Sequence, residues 1–184
     1  MIITITGPRS VGKSSVSRIV AEILKLNYVS SDEIGEDALK KEGGLDKAIK
    51  SGIIGKFIQG GAYNLIREMY EKDNFIFDIS GGSISSGKYP EASEKVREIA
   101  KKNSIIIGLL PSENAGESIK FLFEREKERA HFKEMDKDEL FEKVSNDYEK
   151  FPPLLEVLCN FIVYVKDKSP NKIAEEIVGR LASK

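Results

Sequence analysis

The sequence predicts an α/β protein with three layers, in which helices cover both faces of a five-stranded parallel sheet. Short apolar runs typical of buried strands alternate with longer segments whose apolar residues recur at helical spacing. A chain of 184 residues, 40% hydrophobic and 32% charged, is also long enough for one compact domain with a core. We therefore expect residues 1–184 to form a single domain.

The predicted elements follow from these runs and from residues that start or stop helices. The strands are expected at residues 2–6, 28–29, 75–79, 104–110 and 161–165. The helices are expected at residues 14–26, 33 to the glycine pair 43–44, 55 or 61 to 70, 91–102, most of 115–150, and 170–182. Ser31 and Asp32 can cap the second helix, and Pro170 suits the first turn of the last helix.

Composition argues against several classes of function. The chain has 29 Lys and Arg against 30 Asp and Glu, so its net charge of -1 provides no global positive field for nucleic acid. The N-terminus does not resemble a signal peptide, and no apolar run approaches the roughly 20 residues that span a bilayer. We expect a cytoplasmic monomer or homodimer with no nucleic-acid or membrane partner. The single cysteine, Cys159, lies in an apolar run and is expected to be a core thiol.

The most specific motif is GPRSVGKS at residues 7–14, between the first predicted strand and the first predicted helix. It matches G-x-x-x-x-G-K-[ST], the P-loop. Gly7 and Gly12 let the backbone turn so that its N–H groups point at phosphate oxygens. Lys13 is expected to reach the β and γ phosphates of ATP, and Ser14 to bind Mg²⁺. The predicted phosphate-binding residues are Gly7, Arg9, Ser10, Val11, Gly12, Lys13, Ser14 and Ser15.

Charged residues elsewhere add candidates. Asp78 ends an apolar strand, where an aspartate commonly faces the P-loop, so it is a candidate Mg²⁺ ligand with a turn or capping role as the alternative. Residues 124–150 form either a solvated helix pair or a lid over the site. Arg125 and Arg129 share one face of a helix there and can neutralise charge or pair with neighbouring glutamates. The only histidine, His131, is either a general base in this segment or incidental.

The short chain and the absence of a guanine-reading N-K-x-D motif favour a small-molecule kinase over a GTPase. The sequence resembles the shikimate kinase family, in the nucleoside-monophosphate-kinase-like group, over nearly the whole chain. Beyond the P-loop, the resemblance is carried by YVSSDEI (28–34), SGGS (80–83), FEREKERAHF (123–132), FPPLLEVLCNFIV (151–163) and KSPNKIAEEI (168–177). It implies a P-loop NTPase fold, an ATP-dependent kinase, a lid near residues 124–150 and an acceptor-binding region near residues 31–70.

The resemblance also implies roles for single residues. Asp32 takes the place of the aspartate that contacts the acceptor hydroxyl, and we expect it to orient or deprotonate that group, or to serve as a helix cap. Arg129 takes the place of the arginine that opens the lid, and Pro170 lies beside the adenine. Lys13, Asp32 and Arg129 are the predicted catalytic set. Arg125 and Pro170 join the predicted nucleotide contacts, and the predicted acceptor contacts are Asp32, Arg67, Gly81, Gly82 and Ser83.

Several positions depart from the family pattern. Ser30 replaces the first aspartate of an Asp-x-Asp pair, and we expect Asp78 to take over part of its role. Leu65 and Phe151 stand where the family has arginines that grip a carboxylate. Arg67 is the nearest arginine to the first of these positions, on a different helix face. Ser83 and residues 130–132 also differ from the family. The pocket is therefore expected to bind shikimate poorly.

Three functions stay open at this level. The favoured one is an Mg²⁺-dependent, ATP-dependent kinase of a small hydroxylated metabolite. The second is a nucleotide-binding switch whose slow hydrolysis acts on a protein partner, which the lost arginines and the charged segment motivate. The third is a nucleoside or nucleotide kinase, in which Phe57, Tyr63 and Tyr70 would stack a base, although these residues suit a core equally well.

Overall fold

A computed structural model describes residues 1–129, 132–133 and 135–183. Its centre is a five-stranded parallel sheet in the order β2-β3-β1-β4-β5. The strands are β1 (Ile2–Thr6), β2 (Asn27–Ser30), β3 (Phe75–Asp78), β4 (Ile105–Leu110) and β5 (Phe161–Tyr164). Helices flank the sheet, so the predicted three-layer α/β fold is confirmed.

The helices occupy the connections between the strands and the segment after the last strand. They are α1 (Lys13–Leu24), α2 (Ser31–Ala38), α3 (Leu45–Lys50), α4 (Ile54–Phe57), α5 (Tyr63–Tyr70), α6 (Gly81–Ser85), α7 (Pro90–Asn103), α8 (Ala115–Glu126), α9 (Lys137–Tyr148), α10 (Phe151–Leu158) and α11 (Pro170–Ala182). A 3-10 turn at Lys40–Glu42 and a π-helical segment at Ile58–Ala62 join neighbouring helices. Within the described residues, no helix is both long and apolar enough to cross a membrane.

Strand β1 shows how the sheet organises the core. Thr4 Oγ lies 2.8 Å from the hydroxyl of Tyr70 on α5 and 2.7 Å from the hydroxyl of Ser104, directly after α7. Because side chains alternate along a strand, Ile3 and Ile5 project to the opposite face of the sheet, and both are fully buried. Both faces of this central strand are therefore covered, as a parallel sheet requires.

The predicted second helix differs from the observed one. Ser30, rather than Ser31 or Asp32, is the N-cap of α2, since its side chain accepts a 3.2 Å hydrogen bond from the backbone N–H of Asp32. The helix begins at once because Ser30 also ends β2. It stops at Ala38 instead of running to the glycine pair, and α3 follows Gly44 as a separate helix. Residues 31–50 therefore fold as two short helices at the edge of the cleft described below.

The single cysteine lies beside the sheet. Cys159 is half-buried, and a Cβ added to Gly108 of β4 would lie 3.1 Å from its sulfur. Burial raises the pKa of the thiol to about 12. The thiol therefore stays protonated at neutral pH and packs against the core. It is only half-buried, whereas the sequence predicted a fully buried core thiol.

Candidate active site

The glycine loop crosses the carboxyl edge of β1 and leads directly into α1. Gly7 lets the loop backbone pass close to β4, because a Cβ at this position would clash with the carbonyl oxygen of Leu109. Gly12 is the N-cap of α1 with φ 104°, a left-handed conformation that suits glycine. Ser10 also has a positive φ of 62°. The loop is therefore wrapped tightly around the N-terminus of α1, where backbone N–H groups and the helix dipole favour an anion.

Lys13 lies within this loop. Its ammonium group donates hydrogen bonds to the carbonyl oxygens of Gly7 at 3.2 Å and Pro8 at 3.1 Å. Burial lowers the pKa of Lys13, while the negative charges of Asp78 and Asp32 act in the opposite direction. The ammonium group therefore lies among the loop carbonyls, where the negative charges of Asp78 and Asp32 also act on it.

Ser14 and Asp78 meet across the carboxyl edge of the sheet. Ser14 Oγ donates a 2.6 Å hydrogen bond to Asp78 Oδ2, and the Tyr28 hydroxyl donates to the same oxygen at 3.2 Å. Asp78 pairs in register with Ser30 of β2 and with Ile5 of β1. A hydroxyl and a carboxylate are oxygen ligands of the kind that Mg²⁺ prefers. The Ser14 and Asp78 side chains are therefore of the chemical kind that this ion binds.

Asp32 lies in the first turn of α2 and faces the cleft. Its carboxylate is open to the cleft, yet the surrounding protein raises its pKa above the ordinary 3.8, chiefly by removing it from bulk water. The positive charge of Lys13 opposes this shift, and the negative charge of Asp78 adds to it. A carboxylate whose pKa is raised accepts a proton more readily, which suits a general base.

Helix α8 brings two charged side chains against the glycine loop. Arg125 donates a 3.0 Å hydrogen bond to the backbone oxygen of Ser10, and its guanidinium carbon lies 4.6 Å from the ring centroid of Phe121. Glu126 is 4% exposed and accepts a 2.5 Å hydrogen bond from Ser10 Oγ. Arg9 Nε lies 3.6 Å from the same carboxylate. The charged segment therefore contacts the phosphate-binding loop directly.

Glu126 is a buried charged residue against the glycine loop that the sequence patterns did not single out. From the sequence, Glu126 was only one of several glutamates that could form an ion pair with Arg129. In the structure, its carboxylate contacts Arg9 and Ser10 instead. A signal was present, because Glu126 is four residues after the buried Leu122 and therefore on the buried face of its helix.

These residues surround one cleft with a volume of about 1340 Å³. Sites for a single small ligand run from roughly 300 to 1,000 Å³, so the cleft has room for a nucleotide and a second molecule. The predicted site residues that line it are Arg9, Ser10, Gly12, Lys13, Ser14, Ser15, Asp32, Gly81, Gly82, Arg125 and Arg129. The fold thus brings most of the predicted nucleotide contacts and part of the predicted acceptor contacts together.

Other predicted residues lie elsewhere. Val11 is buried under the loop, and Ser83 is hydrogen-bonded to Ser80 at 2.9 Å rather than lining the cleft. Arg67 is exposed on α5, where its guanidinium lies 4.0 Å from Glu71, and it does not line the cleft. Pro170 begins α11 and is also outside the cleft lining. His131 and Ala130 lie outside the described residues.

Phe151 and Leu65, which stand where the family pattern has arginines, lie at different places relative to the cleft. Phe151 lines the cleft and is 4% exposed, and a Cβ added to Gly81 would lie 2.7 Å from its Cζ. Its ring therefore packs directly against the β3–α6 turn. Leu65 is half-buried on α5 and is not part of the cleft lining.

The fold and the cleft are those of a P-loop kinase. A family model described as shikimate kinase matches residues 9–182, so the chain belongs to the shikimate kinase family. This assignment makes the protein an ATP-dependent small-molecule kinase.

Individual relatives match nearly the whole chain, but at low sequence identity. A shikimate kinase from Alteromonas mediterranea is 23% identical over 180 residues, which cover 97% of this chain and 95% of that protein. The structure of a shikimate kinase from Bacteroides thetaiotaomicron has a TM-score of 0.76 at 16% identity, with 100% of this chain and 99% of that chain covered. The Acinetobacter baumannii enzyme, solved in complex with shikimate, has a TM-score of 0.70 at 18% identity, with 99% and 93% covered.

Proposed function

We propose that the protein transfers the γ-phosphate of ATP to a hydroxyl group of a small molecule bound beside Asp32. The observation that carries this proposal is the convergence of Lys13, Ser14 and Asp32 on a cleft with room for two ligands, with the buried Asp78 hydrogen-bonded to Ser14. Phosphoryl transfer depends mainly on positioning and charge neutralisation, and this arrangement can supply both.

The glycine loop would hold the phosphates of the donor. Its backbone N–H groups and the N-terminus of α1 provide hydrogen bonds and a favourable dipole. The Lys13 ammonium would exchange its two carbonyl contacts for phosphate oxygens. Ser14 and Asp78 would hold Mg²⁺, which when bound neutralises charge on the phosphates.

Asp32 would act on the acceptor. Its carboxylate would accept the proton of the attacking hydroxyl, while the acceptor oxygen forms a bond to the γ-phosphorus. The bond between that phosphorus and the bridging oxygen breaks, and ADP leaves. Arg129, which lines the same cleft, would stabilise the negative charge that spreads over the transferring group.

A second function is favoured by one observation. The contacts of Glu126 and Arg125 with Ser10 link the charged segment to the phosphate-binding loop. Through such contacts, nucleotide binding would change the position of this segment, as in a switch that acts on a protein partner. A switch hydrolyses ATP slowly without passing the phosphate to a small acceptor.

ATP consumption in the presence of a panel of hydroxylated metabolites, including shikimate and nucleosides, tests the proposed function. We expect Mg²⁺-dependent ADP release that a small acceptor accelerates. Lys13→Ala should abolish it, whereas Lys95→Ala, on an exposed position of α7, should leave it unchanged. Tight ATP binding without acceleration by any acceptor would favour the switch instead.

A further inference from the structure

We propose that the acceptor is an uncharged, hydroxyl-rich small molecule and not a carboxylate, an inference that rests on the proposed function of the same cleft. The relevant surface is a set of lining residues outside the glycine loop, here called the acceptor wall. It comprises Asp32, Glu33 and Glu36 of α2, Leu45 and Ile49 of α3, and Phe151 of α10.

The charge of the acceptor wall is negative. Three of its six side chains are carboxylates, and all three come from α2. Glu36 is fixed in place, because its Oε2 accepts a 2.7 Å hydrogen bond from the backbone N–H of Leu45. Glu33 is paired with Arg18 at 2.7 Å on the exposed side. An anionic substrate would meet like charge here, whereas hydroxyl groups would find hydrogen-bond acceptors.

The remaining surface of the wall is apolar. Leu45, Ile49 and Phe151 contribute hydrocarbon, and Phe151 packs so closely on Gly81 that no larger side chain fits at that glycine. An apolar surface can contact the carbon skeleton of a substrate, but it offers no compensation for a buried negative charge.

The cations around the cleft are nearly all engaged. Lys143 and Lys150 both pair with Asp147, at 2.9 Å and 3.2 Å. Arg9 lies against Glu126, Lys13 binds the loop carbonyls and Arg125 binds the Ser10 oxygen. Arg129 is assigned to the transferring phosphate. Among the described residues that line the cleft, this leaves Lys88, an exposed side chain whose ammonium lies 5.5 Å from the Tyr89 ring centroid.

One exposed lysine is a poor substitute for arginines that bind a carboxylate through two parallel hydrogen bonds, since its ammonium group is a strongly hydrated point charge. Neutral groups are more plentiful nearby. Ser80, Ser85 and Ser86 line the cleft, as do Gly82 and Gly87, although the Ser80 hydroxyl is bonded to Ser83 and the Ser86 hydroxyl accepts from the N–H of Tyr89. Ser85 Oγ donates to the carbonyl oxygen of Gly81 at 2.8 Å and keeps its lone pairs available. Such groups match the alternating donors and acceptors of a polyol.

The test compares acceptors of similar size in which a carboxylate is replaced by an uncharged hydroxymethyl group. Suitable pairs are gluconate with glucitol, and shikimate with the alcohol made by reducing its carboxylate. We expect kcat/KM, measured by ADP release, to favour the neutral member by about 100-fold, the scale of the penalty for desolvating a charged group that the site leaves without a partner. Glu36→Gln keeps the bond to Leu45 and should reduce this preference several-fold, while Lys95→Ala should not change it.

A preference for the anionic member would overturn the inference, and loss of that preference in Lys88→Ala would identify Lys88 as the carboxylate-binding residue. Calorimetric binding of the same pairs in the presence of ADP needs no turnover. The binding measurement therefore separates two failures. If the neutral members bind but do not react, the proposed function fails and this inference stands. Tighter binding of the anionic members, or no binding of any neutral member, would overturn it.

Discussion

The Ser14 hydroxyl donates a 2.6 Å hydrogen bond to Oδ2 of Asp78, which links the start of α1 to the end of β3. The register of the sheet places Asp78 beside Ser30, at the same carboxyl edge. A single carboxylate from β3 thus faces the glycine loop at a point where the neighbouring strand provides only a hydroxyl. This placement supports the hypothesis that Asp78 compensates for the missing carboxylate at position 30.

Asp78→Asn tests that hypothesis. The amide keeps the size of the side chain but removes the negative charge that would help hold Mg²⁺. We expect Mg²⁺-dependent turnover to fall by about 10- to 100-fold, with a higher Mg²⁺ requirement. Asp73→Asn, an exposed change just before the same strand, is the matched control. Full turnover in Asp78→Asn at unchanged Mg²⁺ would refute the assignment.

The pH dependence of turnover should report on Asp32. Its pKa lies above the ordinary 3.8, because the cleft removes it from bulk water. A general base must be deprotonated, so kcat should fall as the pH decreases through this raised pKa and reach a plateau above it. Asp32→Asn should lower kcat by at least about 100-fold and remove the acidic limb. Asp37→Asn, at an exposed position on the same helix, should retain both the activity and the loss of kcat at acidic pH. An unchanged pH profile of kcat in Asp32→Asn would exclude Asp32 as the base.

The negative charge of Glu126 is expected to weaken nucleotide binding. Its carboxylate bonds to Ser10 and lies 3.6 Å from Arg9, so a fixed negative charge sits beside the phosphate-binding loop. Glu126→Gln keeps a hydrogen-bond acceptor for Ser10 while it removes the charge. We expect calorimetry to show ATP binding tightened by about threefold, the scale of one partly screened charge. Glu94→Gln on α7 should not change the affinity, and equal or weaker ATP binding in Glu126→Gln would contradict this interpretation.

The Phe151 ring should stabilise the fold as well as shape the cleft. It is 4% exposed and packs against Gly81. Phe151→Ala should lower the free energy of unfolding by about 3–5 kcal/mol, the range for a deleted core aromatic. Urea denaturation measures the loss. Val157→Ala on the same helix removes a side chain that is 72% exposed and should change stability by less than about 0.5 kcal/mol. Similar values for the two variants would show that the ring does not pack as described.

The sequence was sufficient for the sheet and for the position of the glycine loop, because both depend on local patterns. The apolar runs located every strand, and the spacing of Gly7, Gly12 and Lys13 located the loop. The role of Ser30 as the cap of α2 was not predicted, since Ser30, Ser31 and Asp32 can all cap a helix. Only the observed backbone, extended at Ser30, decides among them.

The rest of the cleft depends on long-range packing. The i,i+4 spacing of Arg67 and Glu71 indicates that their side chains can pair, but it does not show that this helix face lies outside the cleft. The contact between Glu126 and Ser10 joins residues 116 positions apart. Hydrophobic periodicity identifies the buried face of a helix but not the side chain that it meets.

The most direct test of the central claim uses ATP labelled at its γ-phosphate, together with both the neutral and the anionic hydroxylated acceptors. The account predicts that the label appears in an organic phosphate, that Lys13→Ala abolishes this transfer and that Lys95→Ala does not. Label found only as inorganic phosphate, with or without acceptor, would contradict phosphoryl transfer to a small molecule and identify the protein as a nucleotide-hydrolysing switch.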